Sequence, residues 1–221
     1  MKSAQKQTLS WNRYTVPALP IHVIFKRVCL CIAGLACIAT NALAEGVDVD
    51  SLKMNWGAML GGAVATIAIH EMGHFVVAGI EDADAHFDGL TVKYRDYDGT
   101  DRQNLRLSSA GYQAQWLASE YAFKQLDQPG LSQGQVAWNT GLILGHIGIT
   151  AAYLTFLRDH EDGDVSGISE ATGLSTAEVL ALLSIPAVLD SWRLFGRNSP
   201  KWAGWASKGS KVVGITAIWT F

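Results

Sequence analysis

Residues 56–80 read WGAMLGGAVATIAIHEMGHFVVAGI, and this stretch decides the fold. Its 25 residues carry only three ionisable side chains, His70, Glu71 and His74. At about 1.5 Å per residue a helix of this length reaches roughly 37 Å, enough to cross a bilayer core of ~30 Å. Gly57, Ala58, Gly61, Gly62 and Ala65 are small and suit close helix–helix approach in lipid. Ionisable groups are costly in such a segment, so three together mark a functional site.

The pattern His70-Glu71-Met72-Gly73-His74 is HExxH. On a helix, positions i and i+4 share a face, so both imidazoles can reach a single ion. Glu71 sits about 100° further round, close enough to act on a metal-bound water without ligating the metal. Zinc lowers the pKa of a bound water toward about 7, and the carboxylate can take its proton. Catalytic zinc generally takes three protein ligands, so a third group must come from elsewhere. Cysteine cannot supply it, because Cys29, Cys31 and Cys37 are the only three and none follows. Three candidates remain open. Asp190 lies four positions after Pro186 in an apolar run, where a proline frees a backbone carbonyl and bends the helix; it could instead pair with Arg193. Glu120 and His146 are the others. Without a metal, the same cluster would serve as polar glue between helices.

Outward from this stretch, the composition agrees with a membrane setting. The chain has 221 residues and a net charge of −3; 49% are hydrophobic and only 17% charged, against about a quarter in ordinary globular domains. Mean hydropathy is +0.15. This excludes disorder as a description of the whole chain, and the lack of a clustered basic excess excludes nucleic acid as a partner. Lys26-Arg27, an apolar run over 28–40 and Asn41-Ala42-Leu43-Ala44 read as a signal peptide cleaved after Ala44, or as an uncleaved anchor. The chain therefore divides into an N-terminal extension with leader, 1–44, and a membrane domain, 45–221.

Residues 136–157 form a second uncharged run with His146 near its middle, and 177–195 a third, carrying Glu178, Asp190 and Arg193. Residues 202–221, divided by Lys208 and Lys211, read as interfacial, with tryptophans as interfacial anchors. Between them, 81–104 is charged and alternates through Leu90–Tyr94, a short hairpin. Residues 105–126 are helix-like, and 158–175, RDHEDGDVSGISEATGLS, read as a solvated acidic loop. Its segment 162–167 resembles the opening of a calcium loop, but position 12 is Gly173 instead of a glutamate. Residues 168–179 resemble the turn of a helix-turn-helix, without the basic charge DNA binding needs.

Three stretches resemble, in order, the core helices of the site-2 protease family of intramembrane zinc metalloproteases. They are IAIHEMGHFVVAG (67–79), LSSAGYQAQW (107–116) and SIPAVLDSWRLF (184–195). The resemblance implies an all-α multi-pass membrane protein, with a three-helix metalloprotease core and a short β-hairpin insertion after the first core helix. It implies zinc (Zn2+) held by His70, His74 and Asp190, with Glu71 as general base. Gly111 and Gln115 would position the substrate, a membrane protein or peptide cleaved within or next to the lipid bilayer. A bacterial inner membrane is the expected location, with the mature N-terminus exported by the leader. The chain departs from the family at Tyr112, Gln115, Leu183 and Ser191, where the family favours Pro, Asn, Asn and Gly. The alternative on the same scaffold is a catalytically divergent metal-binding or sensing protein.

Overall fold

The computed structural model describes residues 55–89, 91–158, 160, 163–196 and 199–221. The leader expected over 1–44 lies outside them. Among the described residues the chain is an all-α bundle of six helices with one antiparallel hairpin directly after the first. The order is α1 (Trp56–Ile80), β1 (Asp84–Asp88), β2 (Thr91–Arg95), α2 (Asp101–Leu126), α3 (Gln133–Thr155), α4 (Asp164–Thr172), α5 (Thr176–Phe195) and α6 (Lys201–Thr220).

Helix starts are written locally. Thr100, Ser132 and Ser175 cap α2, α3 and α5, and in each case Gln103, Gln135 or Glu178 three positions on returns the bond to the cap. These reciprocal caps satisfy backbone N–H groups that have no partner within a helix's first turn. The hairpin expected from the alternation is present, and it pairs Asp84 with Arg95 and Asp88 with Thr91.

α1 and α3 pack almost backbone to backbone. A Cβ on Gly141 would overlap the Met59 carbonyl, and one on Gly62 would overlap that of Trp138. Thr66 Oγ1 donates to the Leu142 carbonyl at 2.9 Å across this seam. α3, expected as a second span, is the central helix of the bundle, buried along most of its length. α1 is the one described helix long and apolar enough to cross a membrane, or one of two if α4 and α5, bent by 116° at their junction, count as a single span.

The segment 158–175 differs from the expected loop, since it contains α4. Val165, Ile168 and Ala171 are buried at helical spacing against α2, and Gly173 ends the helix with φ +71°. A left-handed residue there closes the last turn without a Cβ penalty. The outer surface is apolar: Leu60, Val64 and Val76 on α1, Leu182 and Val188 on α5, and Val212 and Val213 on α6 are all exposed.

Candidate metal centre

The two histidines of α1 point toward α4. His70 Nε2 lies 3.0 Å from Asp164 Oδ2, and His74 Nε2 lies 3.3 Å from Asp164 Oδ1. Among the described residues this is the only group of histidine and carboxylate side chains whose ligand atoms all fall within 4.8 Å of one another. Two atoms each about 2.0–2.1 Å from one tetrahedral zinc stand roughly 3.3 Å apart, so the spacing fits a shared ion. Both histidines are buried and Asp164 is nearly so. Asp164 is the first residue of α4, where the helix dipole favours a negative charge.

The surroundings set the tautomer of His74. Its Nδ1 lies 2.9 Å from the Leu107 carbonyl, which can only accept, so Nδ1 carries the proton and donates. That leaves Nε2 as the nitrogen turned to Asp164, where the neutral ring can offer its lone pair to an ion. Ligating histidines commonly spend their second nitrogen in this way. The Tyr94 hydroxyl stands 3.1 Å from the same Nδ1. Burial, then the negative charges of Asp164 and Glu71, push the Tyr94 phenol above its ordinary pKa, so it remains protonated.

Glycines admit the site. A Cβ on Gly73 would stand 2.6 Å from the Ala110 carbonyl, so α1 and α2 meet there without a side chain between them. A Cβ on Gly111 would fall onto the His70 ring. Gly111, expected to position substrate, thus makes room for a histidine of the cluster. The Glu71 carboxylate lies near the Val92 backbone N–H of β2 and within electrostatic reach of His70, His74 and Asp164.

The three sequence candidates for a third ligand gather around a different centre. Asp190 is fully buried, and its Oδ2 receives a bond from Lys211 Nζ at 2.6 Å. Ser207 bonds its Oδ1, with Arg193 3.3 Å away. Glu120 accepts from Lys211 at 2.7 Å, and His146 Nε2 lies 3.7 Å from Asp190. Asp190 therefore faces an ammonium in place of His70 and His74. The carboxylate that meets the two imidazoles is Asp164, in the segment expected to be loop. Its signal was the apolar spacing Val165–Ile168–Ala171 between Gly163 and Gly173, which turns a polar stretch into one buried helical face. Gln115, also expected to contact substrate, is 0% exposed inside the bundle.

No protein-family model, no curated protein and no solved structure matches the chain. The site-2 protease resemblance therefore rests on the quoted motifs alone, and the structure adds a buried His70/His74/Asp164 cluster that could coordinate a metal ion.

Proposed function

We propose that the chain is a membrane-associated metal-binding protein that holds one divalent cation between His70, His74 and Asp164. The observation that carries this reading is the convergence of two Nε2 atoms on one buried carboxylate, with the His74 tautomer fixed by Leu107. Two neutral imidazoles and a carboxylate suit zinc and several other divalent ions, and the HExxH spacing favours zinc. The apolar exterior of α1, α5 and α6 supports residence in a bilayer, with 45–221 as the membrane domain.

A second reading, hydrolysis of a peptide bond within or beside the membrane, is favoured by Glu71. Its carboxylate lies next to the cluster and near the Val92 N–H, where it can accept a proton from a water. A bound ion would supply Lewis acidity there. Glu71 would hold the proton, the Leu107 carbonyl would keep His74 oriented, and Tyr94 would shield Nδ1.

Elemental analysis of detergent-purified protein tests the first reading. Wild type is expected to carry close to one metal per chain, Asp164→Ala almost none, and Asp190→Ala an undiminished amount per folded chain. Metal retained in Asp164→Ala would overturn it. Glu71→Gln tests the second: metal should stay while cleavage of an unfolded membrane-protein substrate falls at least a thousandfold, within the range that loss of an essential catalytic group produces. Unchanged cleavage would leave metal binding without proteolysis.

A further inference from the structure

A cavity of about 510 Å³ opens between α2, α4, α5 and α6. Leu105, Trp116, Ile168, Val179 and Leu183 form its inner wall, and each is buried. No residue lining it is charged. Its three hydroxyls are spent on their own helices. Ser109 donates to the Leu105 carbonyl at 2.6 Å, Thr172 to that of Ile168 at 2.7 Å and Ser210 to that of Ser207 at 2.8 Å. Ligand sites commonly have volumes of about 300–1,000 Å³, with a few polar groups that orient the ligand. This one offers a guest hydrocarbon and nothing else, and apolar cavities stay dry and take apolar guests.

Size and rim narrow the choice of guest. A dry cavity of about 150 Å³ takes benzene, so at that ratio about 510 Å³ takes roughly twenty carbons. One turn of α-helix, about 10 Å across and 5.4 Å long, already fills about 420 Å³. A peptide helix is therefore too bulky, whereas a single long hydrocarbon chain fits. At the mouth stand Leu182 and Ile185 of α5, Val213 of α6 and Phe221, all exposed. A free fatty acid would bring its carboxylate to this rim, where no lining cation meets it. A chain still attached to a headgroup in the membrane interface brings no charge with it.

We propose that this cavity binds one acyl chain of a bilayer phospholipid, which enters past the exposed rim of α5 and α6. The choice of a bilayer lipid rests on the membrane residence proposed above. α4 contributes Ile168 and Thr172 to the wall, four and eight positions after Asp164. The seated chain thus packs against the helix that brings the carboxylate to His70 and His74. Nothing in the cavity calls for a bound ion, so the site exists in metal-free protein as well.

Photolabelling tests it. The full chain is reconstituted into palmitoyl-oleoyl phosphatidylcholine vesicles that contain a phosphatidylcholine with a diazirine near the end of one acyl chain. Flotation checks that the protein enters the vesicles, and labelled residues are then located by mass spectrometry of its peptides. Exposed Val64 and Val76 on α1 report the lipid that surrounds any membrane protein. Labels are expected also at Leu105, Ile168, Val179 or Leu183, which surrounding lipid does not touch. Labels confined to exposed residues would overturn the cavity site and leave the membrane reading standing, whereas a chain that does not float overturns both. In a parallel arm diazirine-bearing palmitate replaces the labelled lipid. Buried labels from palmitate but none from phospholipid would overturn the lipid as the source of the chain.

Ala217→Trp fills the cavity from an exposed position on α6 and leaves the core side chains in place. Labelling of the buried residues should fall about tenfold or more, since even one methylene changes the affinity of an apolar pocket by about that factor. Labelling of Val64 and Val76 should not change. Undiminished labelling of the buried residues would place the chain elsewhere and overturn the site.

Discussion

Two aspartates on neighbouring helices, half-buried Asp164 at the start of α4 and buried Asp190 in the second half of α5, meet opposite company. Asp190 is neutralised from within the chain, by Lys211 and Arg193. Asp164 meets two imidazoles, one of them held with Nε2 toward the carboxylate. A carboxylate that already has its cation is structural, because its charge is spent holding helices together. One that faces two imidazoles can take its positive charge from protons on the rings or from an ion that they share. That contrast, more than any motif, separates a helix anchor from a candidate metal centre.

The largest effect expected from this contrast is on the anchor. Lys211→Met leaves Asp190 buried without its ammonium and should cost about 3–5 kcal/mol, read as a lowered denaturation midpoint. The double variant Lys211→Met/Asp190→Asn should recover most of that loss, because it removes both charges. If the single variant were neutral, Asp190 would not be spent on α6, and the contrast would fail.

Gly111→Ala comes next and acts on the other region. Its methyl displaces the His70 ring, so metal affinity should drop about 10–100-fold. Stability should fall by about 1–3 kcal/mol, the usual range for overpacking. Metal titration and thermal melts on one preparation separate the two. An unchanged affinity would place the ion away from His70.

The smallest effect is local. Ser175→Ala removes the cap of α5 and should cost about 1 kcal/mol while leaving metal affinity untouched, because α4, not α5, carries Asp164. A loss of metal in this variant would tie the two aspartates together after all.

What the sequence made legible was local. HExxH is read from five consecutive residues, and the hairpin from alternation over five. Both survive into the structure because each depends only on near neighbours. The partner carboxylate depends on which distant helix arrives at α1, and the sequence around Asp164 hides that helix. Its apolar residues are three, spaced among Ser, Glu and Gly, and two glycines bracket it like a loop. Asp190 looked like the better ligand because it lies in an apolar run, where a charge is conspicuous. The cation that claims it, Lys211, lies on a different helix, and nothing next to Asp190 announces it. Gly111 stands out in the sequence only through the family resemblance, as a substrate-positioning residue, and its contact with the His70 ring shows only in the fold.

The position of α4 also bears on the order in which the molecule comes together. His70 and His74 leave the ribosome with α1, whereas Asp164 follows only after the hairpin, α2 and α3 have been made. An ion arriving early finds two donors, which bind weakly; a third appears once α4 has docked against α2. Tight capture of metal would thus report that the chain has been synthesised through α4 and that its middle helices have packed correctly. If the site holds an ion as proposed, a chain stalled or misassembled before that point would remain unloaded.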